Sequence, residues 1–167
     1  MPACRLVTVC EPPHWQGDRE SDKERGEPAD NVFVDSNLWL YAFVVRPGEE
    51  SKHARALPLV EATNRYAIST QVVSEVSVNL LRKAGMAEVD LLDIVEGLYR
   101  RCRVINTGLE CHRTASRLRS VHHLSFWDSL IVAAALEAGC NTLYSEDMQH
   151  GQVIDEKLTI VNPLLDR

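Results

Sequence analysis

Short apolar runs alternate with helix-period segments along most of this chain, and that alternation restricts the fold more than any other feature. Val32-Phe33-Val34, Tyr66-Ala67-Ile68-Ser69, Arg103-Val104-Ile105, Asn141-Thr142-Leu143-Tyr144 and Leu158-Thr159-Ile160-Val161 read as buried strands. Helical patterns fill the spaces between them. The first follows Ser36 through Leu38, Leu40, Tyr41 and Val44 and stops at Pro47-Gly48. A second is expected over about residues 51 to 64, with a kink or break at Pro58. The third runs from about Gln71 to Lys83 and closes at Gly85. The others pass through Val89 and Leu98, through Leu109 and Val121, and from Ser125 to Glu137 with Gly139 as the stop. Strands this apolar are buried on both faces, so the pattern predicts an α/β domain whose parallel sheet is covered by helices on either side.

Residues 1–30 do not share the pattern. They carry Glu11-Pro12-Pro13 and a polar stretch from Gly17 to Pro28 with no apolar face, and we expect a flexible extension ahead of a domain at 31–167. Five cysteines, with no Cys-x-x-Cys pair, argue against a disulfide framework or structural zinc and for a reducing, cytoplasmic setting. No apolar run reaches the ~20 residues of a membrane span, and the N-terminus lacks the apolar stretch of an export signal. The net charge of −6 weighs against a basic nucleic-acid binder, although carboxylates neutralised by a divalent ion and local arginine clusters reduce that objection.

In a parallel sheet covered on both faces the ligand site lies beyond the carboxyl ends of the strands. Four acids are expected there. Asp35 follows the first strand; it is a natural N-cap, but the neighbouring Ser36 can cap equally well and leave it free. Glu75 lies in the first turns of the third helix among Val72, Val73 and Val76, where a solvated face is the plainer explanation. Asp128 stands three residues after Ser125, the spacing of a capping box, at the start of a helix apolar on nearly every side. Glu146-Asp147 follows Tyr144-Ser145; either acid suits a ligand, and we favour Asp147.

The motifs Val34-Asp35-Ser36-Asn37, Thr70 to Glu75, Phe126 to Ala135 and Leu143 to Met148 occur in an order and spacing that resemble the PIN-domain nucleases, and within them the bacterial VapC-type toxins. The resemblance spans about residues 31 to 165. It implies a three-layer domain with a five-stranded parallel sheet, bound Mg2+ (or Mn2+), hydrolysis of RNA, a cognate antitoxin as partner, and a homodimer. Carboxylate oxygens suit hard divalent ions that acidify water and neutralise charge on an attacked phosphate. Asp35, Asp128 and Asp147 are expected to ligate metal, with Glu75 as a ligand or as the group orienting water. Ser36, Asn37, Ser145 and Glu146 are expected to support them. Arg82, Arg113 and Arg117 are candidates for the RNA backbone, the last two sharing one helix face. A PIN-like interaction module without catalysis, or an RNA-processing enzyme that is not a toxin, are the alternatives. A nucleophilic-aspartate phosphohydrolase would need a second Asp at position 37, which is Asn here.

Overall fold

The computed structural model describes residues 31–62 and 65–165. The expected N-terminal extension lies outside the described residues. The chain order is β1 (Val32–Val34), α1 (Ser36–Phe43), α2 (Glu50–Glu61), β2 (Ala67–Ser69), α3 (Thr70–Ala84), α4 (Glu88–Arg101) and β3 (Arg103–Ile105). It continues with α5 (Leu109–His122), α6 (Phe126–Glu137), β4 (Thr142–Tyr144), β5 (Val153–Ile154) and β6 (Leu158–Val161). The α/β architecture is the one the alternation predicts. The helix through Pro58 is continuous, and it ends at Glu61, short of the expected end.

The sheet has six strands in the order β3-β2-β1-β4-β6-β5, so the expected count of five is corrected. All five expected strands are present, and their pairings are parallel. The sixth, β5, is antiparallel to β6 at the edge. It has two residues and returns into β6 through Asp155 and Glu156, which hold φ of 49° and 58°. A turn with two left-handed residues usually advertises itself through Asn or Gly. Asp-Glu does not, so the strand carried no local signal.

β1 is central, and all three of its residues are buried, as are those of β2. Phe33, Ile68, Leu143 and Ile160 are fully enclosed. α3 and α6 both pack on β2, α6 against α5 and α3 against α1 and α4. α6 buries every residue from Ser129 to Ala135, which explains why its sequence lacks a polar face.

The strand order also determines where a site can form. From β1 the chain steps outward to β2 and β3; it then returns to the other side of β1 as β4 and proceeds to β6. The connections therefore diverge between β1 and β4, and a crevice opens at the carboxyl ends of those two strands.

Candidate active site

Asp35 leaves the carboxyl end of β1 in that crevice. It is the N-cap of α1 and accepts the Ser36 amide N–H at 2.7 Å. This reverses one expectation: Asp35 caps the helix, and Ser36 is released for another contact. The second carboxylate oxygen accepts the Ser145 hydroxyl at 2.8 Å and the Asn37 amide at 3.3 Å. Asp35 is only 6% exposed. Burial pushes its pKa up to about 6; the bonds from Ser145 and Ser36 oppose this, and the negative charges of Glu75 and Asp147 add to it.

The two neighbours of Asp35 in sequence tie it to the other acids. The Ser36 hydroxyl donates to Glu75 Oε2 at 2.6 Å, closer than its 3.4 Å approach to Asp35. Glu75 Oε1 accepts from Gln71 Nε2 at 2.8 Å, one turn earlier on α3. Asn37 is buried, and its Nδ2 lies 3.2 Å from Asp147 Oδ2 as well as 3.3 Å from Asp35 Oδ2. Three carboxylates from β1, α3 and the segment after β4 are thus brought together through one hydroxyl and one amide.

Glu146 faces elsewhere. Lys52 Nζ on α2 lies 2.6 Å from its Oε1, and the Tyr41 hydroxyl donates to its Oε2. Of the two adjacent acids, Asp147 is the one in contact with Asn37. Gln71, Tyr41 and Lys52 are not among the site residues expected from the sequence. The i, i+4 spacing of Gln71 and Glu75 is a signal that points to the first. The other two depend on the packing of α1 against α2, which no local pattern encodes.

Asp128 is placed differently. It occupies the third position of α6, where its backbone N–H donates to the Ser125 hydroxyl oxygen at 3.1 Å. The same hydroxyl donates to Asp128 Oδ2 at 2.6 Å. Its link to the other acids is through the backbone: Gln71 Nε2, bonded to Glu75, also reaches the Trp127 carbonyl at 3.5 Å. Among the described residues no three acidic, His or Cys side chains are grouped tightly enough to enclose an ion.

The expected RNA-contacting arginines are dispersed. Arg82 is exposed in the last turn of α3. Arg113 pairs with Glu110 within α5. Arg117 makes two bonds to Asp155, which sits in the turn at the amino end of β6, whereas the acids lie past carboxyl ends.

A mostly parallel sheet with acids gathered past the carboxyl ends of its central strands defines a class of small α/β domains with a carboxylate site. Within that class the chain belongs to the PIN-domain family, which its sequence matches over residues 32–154. No curated protein matches it. Among solved structures it is similar to Mycobacterium tuberculosis VapC20, a sarcin–ricin loop cleaving toxin, with a TM-score of 0.55 and 20% identity over 70% of this chain and 90% of that one. It is also similar to a toxin–antitoxin complex from Klebsiella pneumoniae, with a TM-score of 0.59 and 19% identity over 80% of this chain and 98% of the other. At such identities the likeness is one of fold.

Proposed function

We propose that this protein is a divalent-metal-dependent endoribonuclease and the toxin of a toxin–antitoxin pair. The observation that carries the reading is Asp35: a carboxylate is buried beside two others, with its ionised form disfavoured by burial and by their charge. A bound divalent cation would offset this mutual repulsion. The VapC20 neighbour is a sarcin–ricin loop cleaving toxin, and the Klebsiella neighbour is a toxin–antitoxin complex; both support the substrate and partner proposed here.

The donor set fits Mg2+, with Mn2+ as an alternative. Mg2+ takes oxygen ligands, keeps several waters and needs only one or two carboxylates, so an enclosing cage of three acids is not required. Two buried acceptors beside the acids, Asn37 Oδ1 and Gln71 Oε1, have no donor in the described structure and suit the waters of a hydrated ion. Asp35 and Asp147 would hold the ion, and Glu75 and Asp128 would complete the site. When bound, the ion supplies positive charge at the attacked phosphate and acidifies water.

The chain's own residues do the remaining work. Glu75, oriented by Ser36 and Gln71, positions the attacking water and takes up its proton. Asn37 and Ser145 hold Asp35 and Asp147 in place. Asp128 joins by exchanging its bond to Ser125 for the site. Glu146 anchors the segment after β4 to α1 and α2 through Tyr41 and Lys52 and so supports Asp147. Arg82 and Arg113 are assigned to the RNA backbone; Arg117 is held by Asp155. A homodimer and a cytoplasmic location complete the proposal; among the described residues no helix is long and apolar enough to cross a membrane.

The test is cleavage of RNA after removal of divalent ions with EDTA and their return. Activity should vanish and reappear with Mg2+ or Mn2+, and Asp147→Asn should lower kcat by more than about 100-fold, beyond the usual effect of a residue that only supports a ligand. Undiminished cleavage in EDTA would remove the metal from the mechanism. A PIN fold serving only as an interaction module would cleave nothing in either condition.

A further inference from the structure

Phe126 and Trp127 begin a helix whose next seven residues are mostly sealed in the core, yet these two rings are 49% and 62% exposed. They are not loosely arranged. The ring centroids are 5.1 Å apart, with the planes at 89°, an edge-to-face contact that leaves most of the indole exposed. Behind Phe126, the Arg119 guanidinium lies 5.0 Å from the ring centroid and donates to the Ser129 hydroxyl at 2.8 Å. Phe126 is therefore packed from below, and Trp127 packs against it while facing solvent. Its backbone is joined to the acid cluster, since Gln71 Nε2 contacts both the Trp127 carbonyl and Glu75 Oε1. Trp127 also precedes Asp128 directly.

The charge distribution indicates what this pair is for. The chain carries a net charge of −6, and two arginines are paired with its own acids, Arg100 with Glu96 and Arg117 with Asp155. Phosphate contacts, which supply the affinity of most nucleic-acid binders, are therefore a limited source of affinity here. Stacking of unpaired bases on aromatic faces is the contact that works without net positive charge, and it suits an exposed indole. We infer that Trp127, packed against Phe126, is the platform on which an unpaired base of the RNA substrate stacks next to the acid site. The inference rests on the ribonuclease reading above and adds the requirement for an unpaired base at that place.

Two measurements test it separately from that reading. In the first, Trp127→Ala and Trp127→Phe are compared with wild type in Mg2+ on a single-stranded RNA and on methyl p-nitrophenyl phosphate, a diester with no base. Trp127→Ala should raise KM for the RNA by about tenfold, more than it lowers kcat. That loss should exceed any change with the small diester, and Trp127→Phe should restore most of it. In the second, indole fluorescence is titrated with oligoadenylate in an Asp35→Asn background that does not cleave. With Trp15 replaced by Phe throughout, quenching should be seen and should be lost with Trp127→Phe, because the one other indole, Trp39, is buried at 3% exposure. An unchanged RNA KM in Trp127→Ala, together with no quenching, overturns the platform even if the enzyme cleaves RNA. So does a variant that keeps both but no longer binds an antitoxin or a second copy, which would make the rings a protein-docking surface. Failure of wild type to hydrolyse either substrate overturns the nuclease reading instead, and the fluorescence titration still decides the platform.

Discussion

Asp35→Asn removes a charge that the metal-free protein accommodates at a cost. Burial first, then the charges of Glu75 and Asp147, put the Asp35 pKa at about 6 in the folded chain, against 3.8 for an unperturbed Asp. The folded state therefore binds this proton more tightly than the unfolded state. Stability from the protonated form is fully present below about pH 3.8 and is lost as pH rises from there to about 6. At about 1.4 kcal/mol per pH unit, that gap is a penalty of about 3 kcal/mol at neutral pH. Asparagine avoids it but has one acceptor oxygen where the carboxylate uses two, so it cannot serve the Ser36 N–H at Oδ1 as well as Ser145 and Asn37 at Oδ2, which returns about 1 kcal/mol. Urea melts in EDTA at pH 7.5 should thus show Asp35→Asn more stable than wild type by about 2 kcal/mol. At pH 4 the difference should shrink to nothing or reverse. Added Mg2+ should favour wild type by about 2.7 kcal/mol at a hundredfold excess over its dissociation constant, and the variant by much less. A variant less stable than wild type at pH 7.5, with the same pH slope, would show that Asp35 is simply a good helix cap and that the repulsion argument is wrong.

Two further outcomes follow from the placement of Asp128 and of the arginines. Asp128→Asn keeps an acceptor for the Ser125 hydroxyl and should abolish cleavage with little change in thermal stability, whereas Ser125→Ala should cost about 1 kcal/mol; a fully active Asp128→Asn would leave that residue a capping role alone. Arg82→Ala should reduce the salt dependence of RNA binding by about 0.7 in log–log slope, and Arg117→Ala should not, because Arg117 is already neutralised by Asp155; equal slopes for the two variants would contradict this assignment.

The strand–helix alternation sufficed to specify an α/β domain with a parallel sheet, because short apolar runs and period-3.6 burial are properties of neighbouring residues. The order of the acid-bearing motifs likewise identified the PIN-domain family before any coordinates. Asp35 was assigned to a strand end and Glu75 to a helix start from local pattern alone, and both lie where those patterns put them. Other features depended on partners far away in the chain. Ser36 chooses between capping α1 and holding Glu75, which lies 39 residues on; the choice exists only after α1 and α3 have packed together. The separation of Asp147 from Glu146 required Asn37, Tyr41 and Lys52 to arrive from α1 and α2. The edge strand β5 is two residues long and gains its identity from hydrogen bonds to β6, not from its own composition. Sequence encodes which surfaces must be buried. Which hydrogen-bond donor satisfies which buried carboxylate is decided by the tertiary structure, because that is a competition among groups brought together only by the fold.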